Sequence, residues 1–305
     1  MMRRAFPVAG AGGTASVMRV VHALWSVVAW SLATVIQIAF ALCMLPLLLF
    51  RRFEDLQGGW PSTLIGAIPL LTLSRRHVVW DRRFDPRRVS VFVSNHTSML
   101  DGHVMVHALP HPFCGVENAA HLTVPGYGWI MRMANAIPVP RGAGRIDALV
   151  GAARDRAGRG ISVLAFPEAH RTLDGRVRPF RTGVFVAARD AGLPVVPVAV
   201  RGMYHVLPKG TWVVTPGCLE VYIGPTLETA GKTDAELETL AEECRAAIAA
   251  WVESKSTATP HPFVPPRRAG KRASIPAEWP PAAVGPAEDA VLPARLTAAA
   301  EPPTP

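Results

Sequence analysis

The chain has 305 residues, half of them hydrophobic, with a formal charge of +9 and a mean hydropathy of +0.23. That length suits one domain of about 200 to 250 residues with appendages. A basic balance admits nucleic acid, anionic membrane or acidic small molecules as partners. No nucleic acid partner is expected, because aromatics are not interleaved with the Lys/Arg runs and no zinc-finger or helix-turn-helix pattern occurs. Cys43, Cys114, Cys218 and Cys244 are widely spaced and form no C-x-x-C pair, which argues against a disulfide framework or a cysteine zinc site and for a reducing compartment.

Taken in chain order, residues 1–16 are small and Gly/Ala-rich and are expected to be disordered. Residues 17–52 form a hydrophobic membrane segment. From Ala23 to Phe50 there is no Lys, Arg, Asp or Glu, more than the roughly 20 apolar residues that cross a bilayer. Trp25 and Trp30 lie near its start, Arg19 precedes it and Arg51-Arg52 close it, as interfacial anchors do. The run is too long for a signal peptide, and no small-residue cleavage site follows. Basic residues on both flanks leave the orientation open, and Pro46 permits a re-entrant path. Residues 53–74, containing "GGWPSTLIGAIPLLTLS", form a connector suited to the membrane interface.

From residue 75 to 254 strand and helix signals alternate. Strands are expected over 77–80, 89–94, 112–116, 136–139, 161–166, 194–201 and 219–223, with helices over 145–156 and 182–191. The pattern predicts an α/β fold: a central, largely buried mixed sheet flanked by helices, with an N-terminal hydrophobic membrane helix. Thr233 and Glu236 make a capping box for a last helix running towards Glu253. Residues 255–305 are Pro/Ala-rich and expected to be disordered. Their basic patch, "PPRRAGKR", suits either anionic lipid headgroups or a solvated linker.

Chemistry-bearing residues gather where strands end. "VSVFVSNHTSMLDGH" runs from a strand into His96, with Asp101 five residues on. Ser98 is a candidate helix N-cap, which puts Asp101 in the first helical turn, in reach of the imidazole. A carboxylate on one ring nitrogen fixes the tautomer and frees the other nitrogen to take a proton. "AFPEAHRTLDGRVRPFRTG" follows another strand with Glu168, His170, Arg171 and three more arginines, a loop suited to an anion unless Asp174 neutralises it. "NAIPVPRG" ends on Arg141 and "LPVVPVAVRG" on Arg201. Four such strand ends imply one crevice at the carboxyl edge of the sheet.

These residues resemble the glycerophospholipid acyltransferases of the 1-acylglycerol-3-phosphate acyltransferase type. "NHTSMLD" is similar to the N-H-x4-D block of that family, and "GWIMRMANAIPVPR" to the block ending in Ile-Pro-Val-x-Arg. "FPEAHRT" with the following "PFRTG" is similar to F-P-E-G-T-R-S and its Phe-Lys-x-Gly segment, and "VPVAVRG" to the final proline-bearing strand. The four blocks run in order from about Val91 to Gly202. The resemblance implies that His96 is the general base and Asp101 its orienting carboxylate. It implies Asn95, Arg141, Glu168, Arg171, Arg181 and Arg201 as substrate-binding residues, with Pro197 structural or beside the acyl donor. The implied reaction moves a fatty acyl group from acyl-CoA or acyl-carrier protein to the sn-2 hydroxyl of 1-acyl-sn-glycerol 3-phosphate. It needs no metal or organic cofactor. The implied partners are the lysophospholipid, the acyl thioester, membrane lipids and an acyl-carrier protein.

The chain departs from the blocks at Ala169 and His170, in place of Gly-Thr, at Thr172 for Ser, at Arg181 for Lys, and at Pro140, a position often acidic. Another lysolipid, such as a lyso-ornithine lipid, therefore stays open as the acceptor. Two other classes stay open. His103, His107 and His111 recur every four residues, as in a His-ligated metal-dependent membrane oxidase, although Pro110 breaks the helix before His111. A non-catalytic membrane-binding relative is the third reading. The Ala/Arg/Pro-heavy usage fits a GC-rich bacterial genome, hence a plasma-membrane protein with its site facing the cytoplasm.

Overall fold

Runs such as Val91–Ser94 and Val195–Val200 have no polar face to turn to water, so as strands they need cover on both sides. A computed structural model describes residues 11–57, 60–125, 127–140 and 144–253 and provides that cover. The chain opens with α1 (Ala11–Leu47), α2 (Phe53–Leu56), α3 (Trp60–Ala67) and a 3-10 turn (Ile68–Thr72). Then come β1 (Arg75–Trp80), β2 (Val91–Ser94), α4 (Asp101–Ala108), β3 (Phe113–Asn118), a second 3-10 turn (Ala119–Thr123) and α5 (Tyr127–Met133). β4 (Ile137–Val139), α6 (Arg145–Gly158), β5 (Ser162–Ala165), α7 (Gly183–Ala191) and β6 (Val195–Arg201) follow. The order closes with α8 (Met203–Val206), β7 (Cys218–Ile223) and α9 (Asp234–Glu253).

The strands form one sheet in the order β1-β7-β6-β2-β5-β3-β4. β6, β2, β5, β3 and β4 are mutually parallel. β7 runs antiparallel to β6, and β1 runs parallel to β7. The sheet is therefore mixed, as expected. Its carboxyl edge collects the ends of β2, β3, β4, β5 and β6 together with the starts of β1 and β7.

Strand alternation splits the core into two layers. Phe92, Leu164, Val196 and Val198 face α4, with Ala33 of α1 and Ile68 completing that layer. Val91, Val163 and Val195 face α6, α7 and α9. α9 buries Leu237, Leu240, Ala241, Cys244, Ala247, Ile248 and Trp251, the spacing of one helical face. Its capping box forms: the Thr233 N–H donates to Glu236 Oε2 (2.8 Å) and the Glu236 N–H to Thr233 Oγ1 (3.3 Å).

Three expectations need comment. α1 begins at Ala11, so residues 11–16 are helical rather than disordered. Ser98 is not the N-cap of α4, which starts at Asp101 after Leu100. The residues 255–305, with their basic patch, lie outside the described residues.

α1 is long and apolar, with an 18-residue stretch inside Ser16–Leu47 averaging a hydropathy of 2.1. It does not stand free. Ser26, Ala29, Ala33, Phe40 and Met44 form a buried stripe along it. The Trp25 indole donates to the Leu71 carbonyl (2.9 Å), and the Val214 N–H donates to Ser26 Oγ (2.8 Å).

Candidate active site

The site is built where β2 stops. Asn95 lies past the last strand residue, but its side chain prolongs the ladder. Its Oδ1 accepts the Val200 N–H (2.8 Å) and its Nδ2 donates to the Val200 carbonyl (2.9 Å). This staples β2 to β6 and aims the next residue, His96, out of the sheet's edge. Asn95 is fully buried, and its amide bonds the Val200 backbone, which positions His96.

His96 Nδ1 lies 2.8 Å from Asp101 Oδ2. That same oxygen accepts the backbone N–H groups of Thr97 (2.7 Å) and Ser98 (2.9 Å), and Oδ1 accepts the Thr97 hydroxyl (3.3 Å). Asp101, at the first position of α4, thus closes the turn that Ser98 was expected to cap. With two backbone N–H groups already on Oδ2, the arrangement suits Nδ1–H as a third donor to it, which leaves the lone pair on Nε2. The imidazole is partly exposed and stacks on Phe166, ring centroids 4.1 Å apart at 18°. Phe166, at the carboxyl end of β5, was quoted in the sequence motif without a role. Its place directly after an apolar strand was the available signal.

The loop after β5 grips the histidine's backbone from both sides. Glu168 Oε1 accepts the His96 N–H (2.8 Å), and the Thr172 N–H donates to the His96 carbonyl (2.9 Å). Glu168 Oε2 accepts the Arg178 N–H (3.0 Å), tying off the far end of the loop. Burial pushes the Glu168 carboxyl above its usual range, while the amides of Arg178 and His96 pull it back. Both oxygens thus accept backbone N–H groups, which fixes the loop against His96.

The arginines divide. The Thr172 amide seats Arg171 beside His96, and the Arg181 N–H donates to the Pro167 carbonyl (3.1 Å) at the loop's base. Neither guanidinium has a hydrogen-bond or ion-pair partner among the described residues. Asp174 neutralises only Arg178 (3.0 Å). The Thr172 hydroxyl and the Arg176 amide hold the Asp174 carboxyl below its usual range. Arg201 does not join the crevice. Strand alternation turns it to the α9 face, where it pairs with Glu220 and lies 5.7 Å from the Trp251 ring centre. Arg141 lies outside the described residues.

The three spaced histidines diverge. The His107 ring packs so tightly on Gly66 that a Cβ there would sit 2.2 Å from Nε2. His111 Nδ1 contacts Ser162 Oγ (3.1 Å). Among the described residues no three His, Cys, Asp or Glu side chains converge to hold a metal. Burial lowers the pKa of His103, whose Nδ1 is buried without a partner. The folded chain therefore refuses a proton that the unfolded chain accepts below about pH 6.5. This contribution is neutral above that value and becomes destabilising as pH falls through it, by up to about 1.4 kcal/mol per pH unit. His103→Leu is expected to shrink the drop in thermal midpoint between pH 7.5 and 5.5. An unchanged drop would show that His103 is protonated in the fold.

Ala169 has φ 65°, in the left-handed region that favours glycine, and its N–H closes a turn onto the Phe166 carbonyl (3.0 Å). Its side chain is exposed. Ala169→Gly is expected to raise the unfolding free energy by about 0.5–1 kcal/mol, the strain relieved less the added freedom of the unfolded chain. A higher denaturant midpoint at constant slope is the readout; a lower midpoint contradicts the strain.

Comparison with known proteins matches this geometry to one family. Residues 76–201 match the family model described as Acyltransferase. A chloroplastic 1-acyl-sn-glycerol-3-phosphate acyltransferase of Brassica napus is 34% identical over 123 residues, 40% of this chain and 35% of that protein. This chain spans about a third of the length of that relative and of its Arabidopsis thaliana counterpart, 35% and 34%. The 1-acyl-sn-glycerol-3-phosphate acyltransferase of Pseudomonas aeruginosa is 29% identical over 214 residues, 68% of this chain and 79% of that one. The crystal structure of the 1-acyl-sn-glycerophosphate acyltransferase of Thermotoga maritima shares the fold. Its TM-score is 0.63 at 23% identity, over 73% of this chain and 92% of that chain.

Proposed function

We propose, from the match of residues 76–201 to the Acyltransferase family model, that the chain is a member of that family and acylates the sn-2 hydroxyl of 1-acyl-sn-glycerol 3-phosphate. The donor is a fatty acyl thioester, acyl-CoA or acyl-carrier protein. The observation that carries this reading is the His96–Asp101 pair with Arg171 and Arg181 unneutralised on the loop that grips His96.

In this reading His96 Nε2 removes the hydroxyl proton as the oxygen attacks the thioester carbonyl carbon. Asp101 stabilises the imidazolium that results. The tetrahedral intermediate collapses, the C–S bond breaks, and the imidazolium returns the proton to the departing thiolate. The products are 1,2-diacylglycerol 3-phosphate (phosphatidate) and the free thiol. A thioester is already activated, so proton removal and proximity suffice. Arg171 and Arg181 bind the acceptor's phosphate, with Arg141 as a further candidate. Glu168 and Asn95 hold the base in place.

Membranes carrying the chain, given labelled oleoyl-CoA and a panel of lysolipids, test the assignment. Phosphatidate is the expected product; labelling of a lyso-ornithine lipid or another lysophospholipid instead would transfer the assignment to that acceptor. Arg171→Ala combined with Arg181→Ala is expected to raise the KM for the phosphate acceptor by roughly 10- to 100-fold, the worth of lost charged hydrogen bonds. Turnover at saturation should change far less. A fall in turnover at unchanged KM would refute phosphate binding by this pair.

The lipid acceptor and the apolar α1 support action at a membrane, here the cytoplasmic face of the plasma membrane. α1 is about 55 Å long, against a hydrocarbon core of about 30 Å. It is docked to the catalytic domain from Trp25 to Met44. A helix fastened along that length to a polar domain cannot cross the bilayer there, so it is the exposed apolar turns before Trp25 that are free to enter lipid.

A further inference from the structure

Beyond residue 50, the described chain has eight exposed large apolar side chains, and all eight lie at the carboxyl edge of the sheet. Leu70 and Leu73 precede β1, and Trp212 precedes β7. Met99 follows β2 and Leu173 follows β5, on either side of the His96 crevice. Val124, Tyr127 and Trp129 follow β3, and Trp129 is 68% exposed. Leu49 and Phe50, past the other end of α1, are also exposed; among the described residues from 51 to 253 no other edge and neither helical layer carries one.

Such one-sided clustering marks a surface meant for an apolar medium. Three of the eight are Trp or Tyr, the residues of membrane–water interfaces. Exposed cations accompany them at the same edge: Arg75 and Lys209 on one side, Arg181 at the crevice and Arg132 beside Trp129. The patch is also continuous with α1. The Trp25 indole is bonded to Leu71 at this edge, whereas Gln57, beyond the other end of α1, accepts the N–H of Phe113 at the start of β3 (2.9 Å). The helix thus climbs towards the carboxyl edge, and its exposed turns before His22 emerge past it.

We propose that the carboxyl-edge loops form a second membrane contact, with Trp129 and Val124 as its outer anchor, seated on an anionic lipid surface. α1 holds one flank of the crevice against the leaflet and the α5 loop holds the other, so that His96 opens directly onto lipid headgroups. This rests on the membrane reading given under Proposed function and adds the orientation of the domain on the bilayer.

The test uses the full chain on vesicles of phosphatidylcholine and phosphatidylglycerol with brominated acyl chains. The fluorescence contributed by residue 129 is taken as the difference between wild type and Trp129→Phe. Bromines high in the acyl chain are expected to quench this difference more than bromines at the chain end. Quenching by aqueous iodide with no response to bromolipid overturns the proposal. This readout requires no turnover, so it stands or falls apart from the acyl-transfer reading. A second measurement compares acceptors. Val124→Asp with Trp129→Asp is expected to lower the rate on vesicle-borne lysolipid by roughly tenfold, the equivalent of one lost interfacial anchor. The rate on a monomeric short-chain acceptor should hold. Equal loss with both acceptors, or loss with neither, overturns it.

Discussion

Alanine at position 96 is expected to cut acyl transfer by roughly 10²- to 10⁴-fold, the usual worth of a general base, with a nearly unchanged KM for the acceptor. The side chain is partly exposed, and the bonds that lock this residue, from Glu168 and Thr172, use only its backbone. The His96→Ala chain should therefore fold and bind lipid as before. Product formation is measured under single-turnover conditions, so that slow release does not mask the chemistry. An alanine variant with wild-type turnover would remove the imidazole from the mechanism and leave the arginine loop as a binding site alone.

The second large effect is expected from Asp101→Asn. Oδ2 takes all three contacts, from His96 Nδ1 and from the Thr97 and Ser98 N–H groups, so an asparagine oxygen in that place keeps them and the amide nitrogen meets the Thr97 hydroxyl at the Oδ1 position. What is lost is the carboxylate charge that stabilises the imidazolium, a defect worth up to about 10⁴-fold in turnover. If the amide flips instead, its N–H groups meet the backbone donors of Thr97 and Ser98, and unmade bonds at this fully buried position cost about 1–3 kcal/mol of stability. The two outcomes separate cleanly. Charge loss gives a normal thermal midpoint with collapsed turnover and a changed pH–rate profile; flipping lowers the midpoint. Full activity at an unchanged pH profile would show that Asp101 serves the fold of the turn and not the base.

The sheet was legible because its strands are covered on both faces and read as unbroken apolar runs. All seven predicted strands fall on observed ones, from Arg75–Trp80 to Cys218–Ile223. The His96–Asp101 pair was legible because the contact is local, five residues apart, and needs only a strand end followed by a turn. The backbone bonds of Asn95 and Glu168 were not legible, for the opposite reason. Their partners lie 105 and 72 residues away, and a polar residue in a motif looks the same whether it faces a ligand or a distant backbone amide. Arg201 could have been placed by strand parity alone. Val196, Val198 and Val200 share one face of β6, which puts Arg201 on the other, away from the crevice. The start of α1 was missed because its first turns carry no apolar stripe to mark them.

The docking of α1 has a consequence for any soluble form of the chain. Ala33 is part of the same buried layer as Ile68, Phe92 and Val214, and Ser26 supplies the acceptor for the Val214 amide. A protease cut or an alternative start after residue 52 would not release a water-soluble catalytic module. It would strip one wall from that module, bare its aliphatic interior and orphan a main-chain donor. Detachment from lipid by truncation and loss of the native state are, for this chain, the same event.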